Sequence, residues 1–176
     1  ARPDGAISVQ TRHGRAPHPR ATTDLLDRWA KETPDTVFLA QRDASGAWQK
    51  LTYAGTRTLV RSVAQALLDR KLSAERPLAI LSGNSLEQAV LGLAANYVGV
   101  PYAPISPAYS LISSDYKKLK DIVALLTPGL VFAIDGQSFG RAIAAAVPPD
   151  VELVVLDAPP AGRAATHLAD LWSKPV

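Results

Sequence analysis

Between residues 78 and 156 the chain alternates short apolar runs with helix-length segments, and this alternation constrains the fold more than any other feature. Leu78 to Ser82, Tyr102 to Ser106, Leu130 to Ile134 and Val151 to Leu156 are runs of five or six residues, mostly apolar. They lack strict polar alternation, as strands buried on both faces do. The intervening segments carry helical spacing. Ser85 with Gln88 reads as a capping box that opens a helix through Tyr97. That helix is apolar at Leu86, Ala89, Val90, Leu93, Ala94 and Tyr97, and again at Leu91 and Val98. A helix apolar on two sides needs cover on two sides. Ser114 is placed to cap a helix bearing Leu119, Ile122, Val123 and Leu126 on one face, and a third helix runs from Ser138 to Val147. Right-handed crossovers then give an α/β fold: a parallel βαβαβαβ sheet with helices on both faces. Residues 163–172 are read as one more helix.

Upstream, the pattern predicts a helix, a β-hairpin and an irregular N-terminal arm ahead of that sheet. Thr22 or Thr23 caps a helix to about Glu32 with Leu25, Leu26 and Trp29 on its stripe, and Pro34 ends it. Val37 to Arg42 and Ala47 to Thr52 form a hairpin around Asp43-Ala44-Ser45-Gly46. Thr52 caps a helix to about Arg70 with Val60, Val63, Ala64, Leu67 and Leu68 on its apolar stripe. The organisation expected is a basic irregular arm over residues 1–21 and a single folded unit over 22–176.

Charge separates these two parts. The first twenty residues hold Arg2, Arg12, Arg15 and Arg20 against Asp4 alone, which accounts for the whole net charge of +3. A basic arm suits nucleic acid or anionic lipid, but this one has no aromatic side chain and the body is neutral. A solvated extension is the preferred reading, with no nucleic-acid and no membrane partner. The chain has no cysteine, which excludes disulfides, thiolate metal sites and cysteine nucleophiles. The most apolar stretch, Ala89 to Ile105, is broken by Asn96, Gly99, Pro101 and Pro104 and does not span a bilayer. No apolar run follows the basic start as a signal peptide requires, so a cytoplasmic location is expected. A chain without methionine is expected to be a processed product or a piece of something longer.

Local motifs offer little chemistry. Gly136-Gln137-Ser138-Phe139-Gly140 matches the G-x-S-x-G nucleophile elbow between a strand and a helix. Asp150 or Asp157, then His167, follow in hydrolase order. Against this, one strand separates Ser138 from His167, and the only His-Gly pair, His13-Gly14, lies in the arm. An ordinary strand-to-helix turn is preferred. Gly83-Asn84-Ser85 opens a helix whose backbone N–H groups suit an anion, as at any βα turn. There is no Walker loop and no dinucleotide fingerprint. His13, His18 and His167 lack metal-ligand spacing, and Lys117, Lys118 and Lys120 read as a solvated helix face. A flavodoxin-like binding module would hold its ligand at the strand ends near Ser82, Ser106 and Asp135.

Several separated segments resemble adenylate-forming enzymes, the superfamily of acyl-CoA synthetases, luciferases and peptide-synthetase adenylation domains. They are Leu51-Thr52-Tyr53-Ala54, the helix to Arg70, Pro77 to Ser85, and Tyr97-Val98-Gly99-Val100-Pro101-Tyr102-Ala103-Pro104. Ile105-Ser106-Pro107-Ala108-Tyr109-Ser110-Leu111, with Asp115-Tyr116-Lys117-Lys118-Leu119, is similar to feruloyl-CoA synthetases. Phe38 to Asp43, Thr127 to Ala133 and Pro3-Asp4-Gly5 agree with that branch.

The resemblance implies a two-step reaction. A carboxylic acid, in this branch a hydroxycinnamate such as ferulate, attacks the α-phosphate of ATP with magnesium screening the phosphates. The CoA thiol then displaces AMP to give a thioester. The family's Ser/Thr/Gly-rich phosphate loop ending in Pro-Lys, its adenine- and ribose-binding motifs and its adenylation lysine are absent from this sequence. Gly55 also stands where a capping box would place Glu or Gln. No catalytic, cofactor-binding or metal-binding residue is therefore carried over. The expectation is the N-terminal fragment of the large domain of an acid–CoA ligase. By itself it is inert, built to join the remainder of its parent chain, and prone to self-association through faces left uncovered.

Overall fold

The computed structural model describes residues 4–7, 9 and 18–173, so most of the arm, including His13 and Gly14, lies outside the described residues. The first helix, α1, spans Thr22–Glu32. Ala21 occupies its N-cap position, ahead of the two threonines expected there. The Asp24 carboxylate accepts the Ala21 N–H at 3.1 Å, and Thr23 is buried instead of capping. β1 (Val37–Arg42) and β2 (Trp48–Thr52) pair antiparallel around the expected turn. Asp43 Oδ1 accepts from Ser45 N and Ala47 N, and Gly46 takes φ +84°, a conformation that favours glycine. α2 (Tyr53–Asp69) begins where Thr52 accepts the Gly55 N–H at 3.1 Å, so the cap forms without the acidic partner.

The main sheet holds five parallel strands in the order β4-β3-β5-β6-β7. β3 (Leu78–Leu81) leads into α3 (Leu86–Val98), which returns to β4 (Tyr102–Ile105). A short α4 (Ala108–Leu111) and α5 (Lys117–Leu126) cross to β5 (Leu130–Asp135). α6 (Gly140–Ala146) precedes β6 (Glu152–Asp157). The chain then adds β7 (Thr166–His167) and α7 (Leu168–Trp172).

Three local readings need correction. Residues 163–172 are not one helix: β-branched Thr166 pairs with Val154 in the sheet, and the helix begins only after His167. Ser114 does not cap α5. Ser113 Oγ accepts the Tyr116 N–H, Asp115 Oδ1 accepts the Lys117 N–H, and Tyr116 turns the chain at φ +54°. Ser138 lies in a turn, and α6 starts at Gly140.

Strand alternation sorts the core onto two faces. Leu78, Ile80, Leu130, Phe132 and Val154 point to α2, α3 and α7, with Leu26 of α1 in the same cluster. Ala79, Leu81, Val131, Ala133, Leu153 and Val155 point to Leu119 and Val123 of α5 and Ala142 and Ile143 of α6. Both faces of β3 and β5 are covered, which explains their near-continuous apolar sequence. Each fully buried Val, Leu, Ile or Phe side chain contributes about 1.5–3 kcal/mol relative to exposure. α3 is covered by the sheet, α2 and α1, and its Ala89, Leu93 and Tyr97 stay half-buried. No helix among the described residues is long and apolar enough to cross a membrane.

Candidate functional site

The strand order has a topological switch: from β3 the chain goes to β4 on one side and afterwards to β5 on the other. In open α/β sheets, ligands bind beyond the carboxyl ends of the strands at such a point. The strand ends there carry Ser82, Gly83 and Asn84 after β3, Ser106 after β4, and Asp135 to Ser138 after β5. The fold therefore brings Ser82, Ser106 and Asp135 to one sheet edge, as the binding-module reading requires.

Ser82 and Asp135 bond within the fold, while Ser106 is exposed. Ser82 is buried, and its hydroxyl donates to the Gly83 carbonyl at 2.7 Å. At the start of α3, Ser85 Oγ accepts the Gln88 N–H at 3.1 Å, and Gln41 Oε1, arriving from β1, accepts the Leu86 N–H at 2.9 Å. Two of the N–H groups that would face an anion are thus already bonded. Asp135 closes the β5 turn: its Oδ1 accepts from Gln137 N and Ser138 N, and its Oδ2 accepts from the Ser138 hydroxyl. The Ser138 hydroxyl, ahead of the two backbone N–H groups, holds the Asp135 carboxyl below the usual carboxylate range, against the opposing effect of burial. A carboxylate stabilised in its charged form is a poor base, and its negative charge repels a phosphate.

The hydrolase arrangement is not assembled. Ser138 bonds Asp135, not a histidine. His167 lies on β7, two strands from β5, and its Nδ1 accepts the Ala169 N–H at 3.1 Å as the cap of α7. Asp150 precedes β6 at the opposite end of the sheet, where it lines a cleft together with Arg76 and Lys120. Asp157 ends β6, and its carbonyl accepts the Gly136 N–H. Gly136 has a packing reason: a Cβ there would sit 2.6 Å from the Ala158 carbonyl oxygen and 2.7 Å from Pro160 Cδ. The second glycine of the motif, Gly140, has room for one, its nearest neighbour being 3.5 Å away.

The lysines behave as a solvated face. Lys117 pairs with Asp121 at 2.9 Å, Lys118 lies 5.3 Å from the Tyr109 ring centroid, and Lys120 donates to the Asp115 carbonyl. Among the described residues no group of three His, Asp or Glu could hold a metal ion. The Asp135 carboxylate and the Leu86 and Gln88 N–H groups are engaged within the fold and do not present free ligands to a magnesium ion or a nucleotide phosphate.

Sequence reasoning missed the residues that organise these loops. Arg163 spreads its guanidinium over the carbonyls of Val147 (2.9 Å), Pro148 (2.9 Å) and Val151 (2.7 Å), closing the turn between α6 and β6. Asp27 joins three helices, accepting from Arg57 Nε at 2.6 Å and from the Tyr97 hydroxyl at 3.0 Å. Burial first, and the Asp27 hydrogen bond second, push the Tyr97 hydroxyl above its usual range. These contacts join positions 12 to 70 residues apart and leave no local pattern to read.

A groove of about 430 Å³ runs along α3 between β1 and β4, lined by Phe38, Leu39, Ala89, Gly92 and Tyr102 among others. Gly92 forms its floor because the Tyr102 ring lies where a Cβ would come within 2.9 Å.

Comparison with known proteins places this geometry. Residues 26–173 match the family described as AMP-binding enzyme. A probable non-canonical nonribosomal peptide synthetase, CymA, from Salinispora arenicola is 32% identical over 94 residues, covering 53% of this chain and 1% of the relative. Acetoacetyl-CoA synthetase from Streptomyces lividans superposes with a TM-score of 0.71 at 17% identity, over 89% of this chain and 25% of that one. A luciferase-like enzyme from the Zophobas morio mealworm gives 0.68 at 18% identity, over 93% of this chain and 37% of that one. At these identities the structural likeness concerns the fold: the α/β sheet matches the N-terminal domain of adenylate-forming enzymes. The chain spans well under half the length of each of these relatives.

Proposed function

The chain belongs to the AMP-binding enzyme family, and from that premise we propose that it is the opening portion of the large domain of an ATP-dependent acid–CoA ligase of feruloyl- or hydroxycinnamoyl-CoA synthetase type. The whole enzyme would convert its acid to an acyl-adenylate and then to a CoA thioester, using ATP, magnesium and CoA. This stretch contributes scaffold and is inert alone. One observation carries the scaffold reading. Ser82, Ser85, Asp135, Ser138 and His167, five of the polar residues along the strand ends, are hydrogen-bonded within the fold. Ser106 and Asn84, also at the strand ends, are exposed. The feruloyl branch is supported by Ile105 to Leu111 and Asp115 to Leu119, which depart from the pattern of other acyl-CoA synthetases.

The partners in this proposal are the remainder of the parent chain and an aromatic acid, in the cytoplasm, with neither nucleic acid nor membrane involved. Self-association of the chain when alone belongs to the same proposal, through faces that the remainder of the parent would cover. A second reading, in which the acid is an amino acid, is favoured by the peptide synthetase relative. ATP–pyrophosphate exchange by a polypeptide that continues past Val176 separates the two readings. The first predicts exchange dependent on ferulate or another hydroxycinnamate. Exchange with amino acids only would establish the second, and exchange with neither would overturn both.

A further inference from the structure

We draw no further inference here: the strongest candidate, the apolar groove along α3 that is floored by Ala89 and Gly92 and walled by Phe38 and Tyr102, carries none because nothing in the structure shows what covers it.

Discussion

Arg163→Ala is the sharpest perturbation of the scaffold. The guanidinium donates to the carbonyls of Val147, Pro148 and Val151 at 2.7–2.9 Å, and Val147 is the C-cap of α6. Hydrogen bonds from a charged donor contribute about 1.5–3 kcal/mol each when fully desolvated. A cation at a helix C-terminus adds about 0.3–1 kcal/mol. The three bonds share one side chain and the site is partly open to water, so their worth is not additive. We expect a loss of about 2–4 kcal/mol. For a chain of 176 residues this is roughly 5–15 °C in Tm. Arg163→Lys keeps the charge but offers a point donor in place of a fork, and should recover less than half of the loss. Urea unfolding followed by tryptophan fluorescence measures both variants. Amide exchange at residues 147–151 locates the effect. An Arg163→Ala variant within 0.5 kcal/mol of the parent chain, or an Arg163→Lys variant equal to it, would refute the reasoning.

Three further outcomes follow from the same geometry. Gly136→Ala should destabilise by about 1–3 kcal/mol, because its Cβ meets the Ala158 carbonyl at 2.6 Å, while Gly140→Ala, with 3.5 Å of clearance, should be neutral or slightly stabilising in urea unfolding. Equal sensitivity of the two would revive a strained elbow. Asp135 has a folded pKa below its ordinary value of 3.8, so its contribution is complete above that value and is lost as pH falls through the folded pKa. Ser138→Ala removes the main cause and should flatten the pH dependence of stability below pH 3.8, read by denaturant unfolding in acid; an unchanged slope counts against the pairing. Thr52→Ala and Ser85→Ala each remove a side chain that accepts a helix N–H, at Gly55 and Gln88, and should each cost about 1 kcal/mol in thermal unfolding. A null result at both would mean that water replaces the caps.

The parallel sheet was legible because β3, β5 and β6 are buried on both faces, and burial of that kind leaves a continuous apolar run in the chain. Thr52 and Ser85 were legible because capping is local, with donor and acceptor three residues apart. β7 was not, since two residues carry no period and their strand character comes from pairing with Val154 and Val155. The start of α5 was missed because Ser113, Ser114 and Asp115 all have capping chemistry, and the left-handed turn at Tyr116 decides among them. At the candidate site, the sequence could present Ser138 and His167 in a suggestive order. Only the structure could show that one binds Asp135 and the other caps α7. Arg163 and Asp27 gave no signal in the sequence because their partners lie on other elements.

We propose that residues 1–176 are scaffold without ATP-handling chemistry of their own. The purified chain incubated with ATP, magnesium, CoA and ferulate, and assayed for AMP and thioester, tests it most directly. The account predicts no product above a protein-free control, and steady formation of feruloyl-CoA by this chain unaided would contradict it.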